Sequence, residues 1–206
     1  MIGVLLAGVI SLVIFGGIRR IGQVAARLVP AMVLLYMICG FFILMGNITN
    51  LDDIFLLIIN DAFTGHAVAG GTLGTVMITG IRRAAFSNEA GIGTESMAHG
   101  AAITKEPVRE GLVAMLGPMI DTLVVCSITG FAILSTGVWT DSNLNGISMT
   151  SAAFKAGLPF MGETILLIIV CVFSITTIIG YSYYGSKCTA FLFGNKWKHP
   201  YRVFYT

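Results

Sequence analysis

Charged residues are scarce in this 206-residue chain, in which Asp, Glu, Lys and Arg together make up 11% and hydrophobic residues 56%. Soluble globular domains carry about 25% charged residues. A soluble fold of this size has too little interior to hide so much apolar surface, whereas a bilayer is a solvent for it. The composition therefore excludes an ordinary soluble domain and predicts an integral membrane protein.

Enzyme and metal motifs are lacking as well. The four cysteines are scattered in or beside apolar runs, without the spacing of a zinc site or a disulfide framework. No HExxH segment occurs, and Ser87 has no obvious histidine partner, so the residues of an intramembrane protease are missing. There is no repeat and no Pro-rich linker. We expect one membrane domain over residues 1–206, with no enzyme activity and no cofactor.

Long apolar runs are the most prominent feature of the sequence. A helix needs about 20 residues to cross the hydrocarbon core, and five runs reach or approach that length. These runs cover residues 2–18, 28–46, 68–103, 111–137 and 164–184. The first run lacks the basic start and the cleavage site of a signal peptide. The sequence thus predicts an all-α membrane protein with five transmembrane spans.

Basic residues are concentrated in alternate loops, which follow the first, third and fifth runs. These loop residues are Arg19, Arg20, Arg27, Lys105, Arg109, Lys187, Lys196, Lys198 and Arg202. The two remaining loops hold a single lysine between them. By the positive-inside rule, Arg20, Lys105 and Lys196 are predicted to be cytoplasmic, and Asp53 and Asp141 to lie outside.

The two outer loops are predicted to contain short helices. Residues 51–63 read LDDIFLLIINDAF, with apolar residues at helical spacing behind Asp52 and Asp53. This pattern is typical of a helix that lies in the membrane interface. Residues 151–156 are predicted to form a second short helical piece.

The third run contains charged residues and paired glycines, which are unusual in a membrane segment. Residues 80–102 read GIRRAAFSNEAGIGTESMAHGAA. Charged groups at membrane depth are costly and usually face a bundle interior or a watery cavity. Gly91 and Gly93 weaken a helix between them, and a broken helix exposes N–H and C=O groups that lipid cannot satisfy. The freed groups suit an ion or a zwitterion, although a helix-packing site with an internal Arg–Glu pair fits the residue types equally well.

Several segments resemble the sodium:alanine (alanine or glycine:cation) symporter family. The matching segments are FSNEAGIG at 86–93, AHGAAITKEPVREGL at 98–112, IDTLVVC at 120–126, GGIRRIGQVAARLVP at 16–30 and TTIIGYSYYGSKC at 176–188. They cover nearly the whole chain in the expected order. One departure is Tyr181, where family members often have Trp, and it puts the preference for substrate size in doubt.

The resemblance implies a leucine-transporter-type fold with two inverted five-helix repeats. The five runs would correspond to helices four to eight of the ten-helix core, so we expect this chain to be an internal fragment of a longer transporter. It also implies sodium-coupled symport of a small neutral amino acid, alanine or glycine. The expected partners are that amino acid, Na⁺ and the lipid bilayer, without nucleic acid. The expected location is a bacterial or archaeal plasma membrane, as a multi-pass protein.

The resemblance also implies roles for individual residues. The implied substrate-binding residues are Ser87, Asn88, Glu89, Gly91, Ile92, Gly93 and Tyr181. Phe86 resembles an aromatic gate. The Phe173 carbonyl and the hydroxyls of Thr176 and Thr177 resemble a Na⁺ site, with Na⁺ as the coupling ion.

Simpler interpretations of the last run stay open beside these roles. Thr176 and Thr177 can bond back to carbonyls of the preceding turn, as threonines in membrane helices often do. Tyr183 and Tyr184 are assigned to an interfacial aromatic belt. A channel or a structural membrane subunit is the alternative to a transporter, although a channel would favour repeated pore-lining positions over one broken helix.

Overall fold

The computed structural model describes residues 2–63, 77–78, 80–82, 89 and 91–206. Every regular element within these residues is helical, which confirms the predicted all-α class for the described part of the chain. The helices are α1 (Ile2–Ile14), α2 (Gly17–Gly46), α3 (Leu51–Phe63), α4 (Thr94–His99), α5 (Pro107–Ile120), α6 (Ser127–Ser135), α7 (Ile147–Gly157), α8 (Gly162–Phe193) and α9 (Lys198–Tyr205).

Three of the described helical stretches are long and apolar enough to cross a membrane. They are α2 with 30 residues, the continuous stretch Pro107–Ser135 with 29, and α8 with 32. α1 has 13 residues, which at 1.5 Å per residue reach about 20 Å, less than a hydrocarbon core of about 30 Å. Most of run 68–103 lies outside the described residues. The count of five spans therefore stays a prediction.

The junction of α1 and α2 differs from the sequence prediction. Arg19, Arg20 and Arg27 were expected in a loop, but α2 begins at Gly17 and carries all three. Gly17 has a φ of +70°, a left-handed conformation that glycine adopts without a Cβ clash and that permits a sharp turn. The loop prediction was wrong because it took the arginines as loop markers, although arginine is a good helix former.

The stretch Pro107–Ser135 contains a local change of helix type. Pro118 lacks an N–H and disturbs the hydrogen bonds of the preceding turn. A π-helical segment, Asp121–Cys126, follows it and connects α5 to α6. Such segments restore backbone hydrogen bonding where a regular helix is interrupted. The stretch can therefore remain one membrane-crossing element despite its internal proline.

Two apolar clusters join the long helices at opposite ends of α8. The cluster near the start of α8 consists of Cys39, Ile43, Ala132, Phe154 and Leu166. The cluster in its second half consists of Ile10, Ile14, Ile21, Ile179 and Tyr183. The first cluster holds the end of α2 against α6 and α7, and the second holds the α1–α2 turn against α8. Which end of the bundle faces the cytoplasm stays a prediction.

The helices predicted in the two outer loops are present. α3 covers Leu51–Phe63, and Asp52 and Asp53 lie in its first turn, where negative charge stabilises the helix dipole. The piece predicted at 151–156 lies within the longer helix α7 (Ile147–Gly157). The existence of both helices is confirmed, and their interfacial position stays a prediction.

Candidate functional site: a polar cavity at a helix break

The break predicted from the glycines coincides with an unusual backbone just before α4. Gly91 and Gly93 have φ values of +83° and +94°, and Glu89 has a φ of +56°. A left-handed conformation is uncommon and strained for a residue with a side chain. The Ile92 N–H donates to the Glu89 carbonyl at 3.2 Å, which closes a turn, and regular helix resumes at Thr94. Phe86, Ser87 and Asn88, three of the predicted site residues, lie outside the described residues.

A cavity of about 300 Å³ lies between this break, α2 and α8. Its polar lining comes from Glu89, Glu95, Thr176, Thr177, Tyr181 and Tyr184. Its apolar wall includes Val29 and Met32 of α2. An apolar wall with a few convergent polar groups is typical of a small-ligand site. The cavity therefore joins the broken segment to the part of α8 that the sequence singles out.

Glu89 of the break and Tyr181 of α8 line the cavity together. The Tyr181 hydroxyl is within hydrogen-bonding reach of the Glu89 carboxylate and is the donor when that carboxylate is ionised. Glu89 is half-buried. The Tyr184 ring packs edge-on against Tyr181, with the ring centroids 5.7 Å apart. A carboxyl group therefore lines the cavity, and a carboxylate can attract a cation or an ammonium group.

The three residues of the predicted Na⁺ site lie together on the cavity wall. The Thr176 hydroxyl donates to the Phe173 carbonyl at 2.9 Å and to the Val172 carbonyl at 3.1 Å. This is the local bonding expected of a threonine in a membrane helix. A hydroxyl that donates its proton retains oxygen lone pairs, so local bonding and coordination of a cation are compatible. Thr177 lines the cavity one residue further on.

Other predicted residues are placed differently. Ile92 is 53% exposed and is not among the described residues that line this cavity. Tyr183 is 8% exposed and belongs to the core around Ile179, and Tyr184 faces the cavity. Their packing shows which helices they contact, and the assignment of these two tyrosines to an interfacial belt stays a prediction.

Sequence reasoning missed Glu95 and the α2 residues of the cavity wall. Glu95 follows the break directly and lies in the first turn of α4, so its position beside two glycines was an available signal. Val29 and Met32 are ordinary apolar residues of a long helix. Nothing in their local pattern distinguishes the face that meets the cavity from the faces that meet lipid.

A second cavity, of about 580 Å³, lies between α4 and α5. His99 and Glu110 in its lining contact each other, with 2.7 Å between Nδ1 and Oε1. Because these side chains already satisfy one another, the larger cavity is a weaker candidate for binding a charged ligand than the cavity at the break.

The described helices include stretches long and apolar enough to cross a membrane, and a cavity with a partly polar lining lies between α2, α8 and the helix break. The chain belongs to the sodium:alanine symporter family, which it matches over residues 1–206. This is a family of multi-pass transporters of the plasma membrane and not of enzymes. The family expected from the sequence motifs is confirmed.

Three relatives illustrate the range within this family. The chain is 40% identical over 204 residues to the sodium/alanine symporter AgcS of Methanococcus maripaludis, covering 98% of this chain and 45% of that one. It is 39% identical over 201 residues to an uncharacterized transporter of Haemophilus influenzae, covering 95% and 44%. It is 37% identical over 191 residues to the probable sodium/glutamine symporter GlnT of Bacillus subtilis, covering 93% and 40%. The chain thus spans less than half the length of these relatives.

Proposed function

We propose that the protein uses a Na⁺ gradient to carry a small neutral amino acid, alanine or glycine, across the plasma membrane. The observation that carries this proposal is the cavity that places Glu89, a left-handed residue of the break, beside Thr176, Thr177 and Tyr181. The names of two relatives include sodium with alanine or glutamine, which supports sodium coupling and an amino-acid substrate.

The proposed substrate site lies at the break. Carbonyls of residues 87–89 and the Glu89 carboxylate would attract the ammonium group, and backbone N–H groups at 91–93 would face the substrate carboxylate. Phe86 would close the site from one side, and Ile92 would contribute to its wall. The Tyr181 ring would limit the length of the side chain, which favours alanine and glycine over aromatic amino acids.

The proposed Na⁺ site uses the Phe173 carbonyl and the hydroxyls of Thr176 and Thr177. Na⁺ is a hard cation, so a site without bulk water must replace its hydration shell with oxygen atoms. The half-buried Glu89 across the cavity adds negative charge. In the whole transporter we propose five spans from this chain within an inverted-repeat bundle, with other parts of the protein completing both sites.

Sodium-dependent uptake tests the proposal. Purified full-length protein in proteoliposomes is expected to accumulate labelled alanine above its external concentration when Na⁺ is higher outside, and not when K⁺ replaces Na⁺. Unlabelled glycine should compete for this uptake, and glutamine and phenylalanine should compete less. Accumulation without a Na⁺ gradient would refute sodium coupling. Equilibration without accumulation would favour the channel, and stronger competition by glutamine would refute the proposed size limit.

Membrane topology provides a separate prediction. Single cysteines at positions 20, 105 and 196, introduced into a protein without other cysteines, are expected to resist an impermeant thiol reagent added outside intact cells. Cysteines at 53 and 141 are expected to react, because their two loops hold only one lysine between them and basic residues are what retain a loop in the cytoplasm. Permeabilised cells supply the control for reagent access. Labelling of position 105 from outside would show that the orientation is wrong.

A further inference from the structure

Acidic residues are missing from both segments that form one end of the helix bundle. Residues 1–51 and 164–206 contain no Asp and no Glu. The same segments carry seven of the twelve Lys and Arg residues, which are Arg19, Arg20, Arg27, Lys187, Lys196, Lys198 and Arg202. The two segments therefore carry an excess of positive charge.

The structure brings the two segments together at that end. The Phe15 ring in the α1–α2 turn lies against the His199 ring of α9, with 6.1 Å between the centroids. The Tyr205 hydroxyl donates to the Ile178 carbonyl at 3.0 Å, and Tyr201 packs over Gly185, where a Cβ would clash with its ring. α9 is therefore held along α8, and its residue His199 lies beside the α1–α2 turn.

We call this surface the basic end and define it by Arg19, Arg20, Lys187, Lys196, Lys198 and Arg202. The described ion pairs, His99–Glu110 and Lys155–Glu163, do not involve it. Side-chain contacts within the protein occupy two of its cations. Arg20 donates to the Leu12 carbonyl at 3.2 Å, and Lys187 lies 5.4 Å from the centroid of the Tyr183 ring. Neither contact neutralises a positive charge.

Aromatic side chains border the basic end. Trp197 lies between Lys196 and Lys198, is 56% exposed, and contacts Phe193 with 6.3 Å between the ring centroids. Tryptophan is enriched where a membrane protein meets the headgroup layer. Clusters of Lys and Arg directly beside a membrane span attract anionic lipids. Exposed Lys196 and half-buried Lys198 flank Trp197, and this combination of charge and aromatic ring is complementary to an anionic headgroup.

We propose that the basic end binds the headgroups of anionic phospholipids, such as phosphatidylglycerol, at a site separate from the substrate cavity. The phosphate would lie between the start of α2 and the α8–α9 junction, with Trp197 at the level of the glycerol. The positive charge of the two acid-free segments favours an anionic phospholipid over a zwitterionic one. The proposal does not depend on the transported substrate.

Quenching of tryptophan fluorescence tests the proposal on the full-length protein in phosphatidylcholine nanodiscs. Brominated phosphatidylglycerol is expected to quench more strongly than brominated phosphatidylcholine. The excess quenching should disappear in Trp197→Phe and persist in the matched variant Trp139→Phe, which changes the tryptophan outside both acid-free segments. Equal quenching by the two lipids in the unsubstituted protein, or excess quenching that survives Trp197→Phe, would overturn the proposal.

Charge variants measure the contribution of the cations. Replacing Lys196, Lys198 and Arg202 together by Gln should weaken phosphatidylglycerol binding on the order of tenfold or more, since each cation near a membrane surface contributes about 1 kcal/mol. Lys196→Arg with Lys198→Arg should retain binding, and Lys155→Gln serves as the control. Inorganic phosphate should not displace the lipid. Undiminished lipid binding by the triple variant, or displacement by phosphate, would show that no headgroup site exists here.

Discussion

Gly91→Val is expected to abolish the binding of alanine while the protein remains inserted and folded. Gly91 has a φ of +83°, a conformation in which a β-branched residue is strained by about 1–3 kcal/mol. A Cβ built on Gly91 meets no described atom within 4 Å. The substitution therefore acts through the backbone: valine favours a conformation that moves the N–H and C=O groups of the break away from the substrate. Valine is also well tolerated in lipid.

Binding of labelled alanine to purified full-length protein measures this effect, with thermal unfolding as the folding control. Gly91→Asn should retain more binding than Gly91→Val, because asparagine tolerates the left-handed conformation better. Gly130→Val provides the matched control, since Gly130 lies inside α6 and also has open space around its Cβ position. Unchanged alanine binding by folded Gly91→Val would show that the break serves packing and that the substrate binds elsewhere.

The break was predictable from the sequence because its signal is local. Two glycines flank Ile92, and Glu89 lies two residues before the first, in a run long enough to cross a membrane. This combination is costly in lipid unless the backbone and the carboxylate find partners. The left-handed φ values of Glu89, Gly91 and Gly93 agree with the predicted break in the helix.

The partners across the cavity were not predictable in the same way. Tyr181 is far from Glu89 in sequence, and no periodicity relates them. Tyr183 and Tyr184 illustrate the same difficulty. Adjacent residues on a helix point about 100° apart, so one enters the core and the other the cavity, but the sequence does not say which helix each face meets. Only the family resemblance placed Tyr181 at the substrate.

The beginning of α2 was missed for a further reason. The length of an apolar run and the basic residues beside it predict where the chain leaves the membrane. They do not predict where the helix itself begins or ends. Arg19, Arg20 and Arg27 extend α2 beyond its apolar part, since a helix can continue through the headgroup layer into water. The span predicted at 28–46 thus gives the apolar part of α2, whereas Gly17 determines its start.

Thr177→Val is expected to raise the Na⁺ concentration for half-maximal alanine uptake by about tenfold or more, on the scale of losing one polar contact to a charged group. Valine has nearly the shape of threonine but lacks its oxygen, so the helix should be preserved while one proposed ligand is removed. Thr177 lines the cavity beside Thr176, whose hydroxyl lies 2.9 Å from the Phe173 carbonyl. The proposed sodium ligands thus come from residues within about one turn of α8.

Uptake by full-length protein in proteoliposomes, measured over a series of Na⁺ concentrations, tests this assignment. Thr189→Val is the matched control, because Thr189 lies on the same helix, donates to the Gly185 carbonyl at 2.8 Å and is not part of the described lining of the cavity. The control should keep the original Na⁺ dependence. At saturating Na⁺, Thr177→Val should recover most of its maximal uptake, because the substrate site is intact. If Thr177→Val and Thr189→Val show the same Na⁺ dependence as the unsubstituted protein, Thr177 is not a sodium ligand and its hydroxyl serves the helix alone.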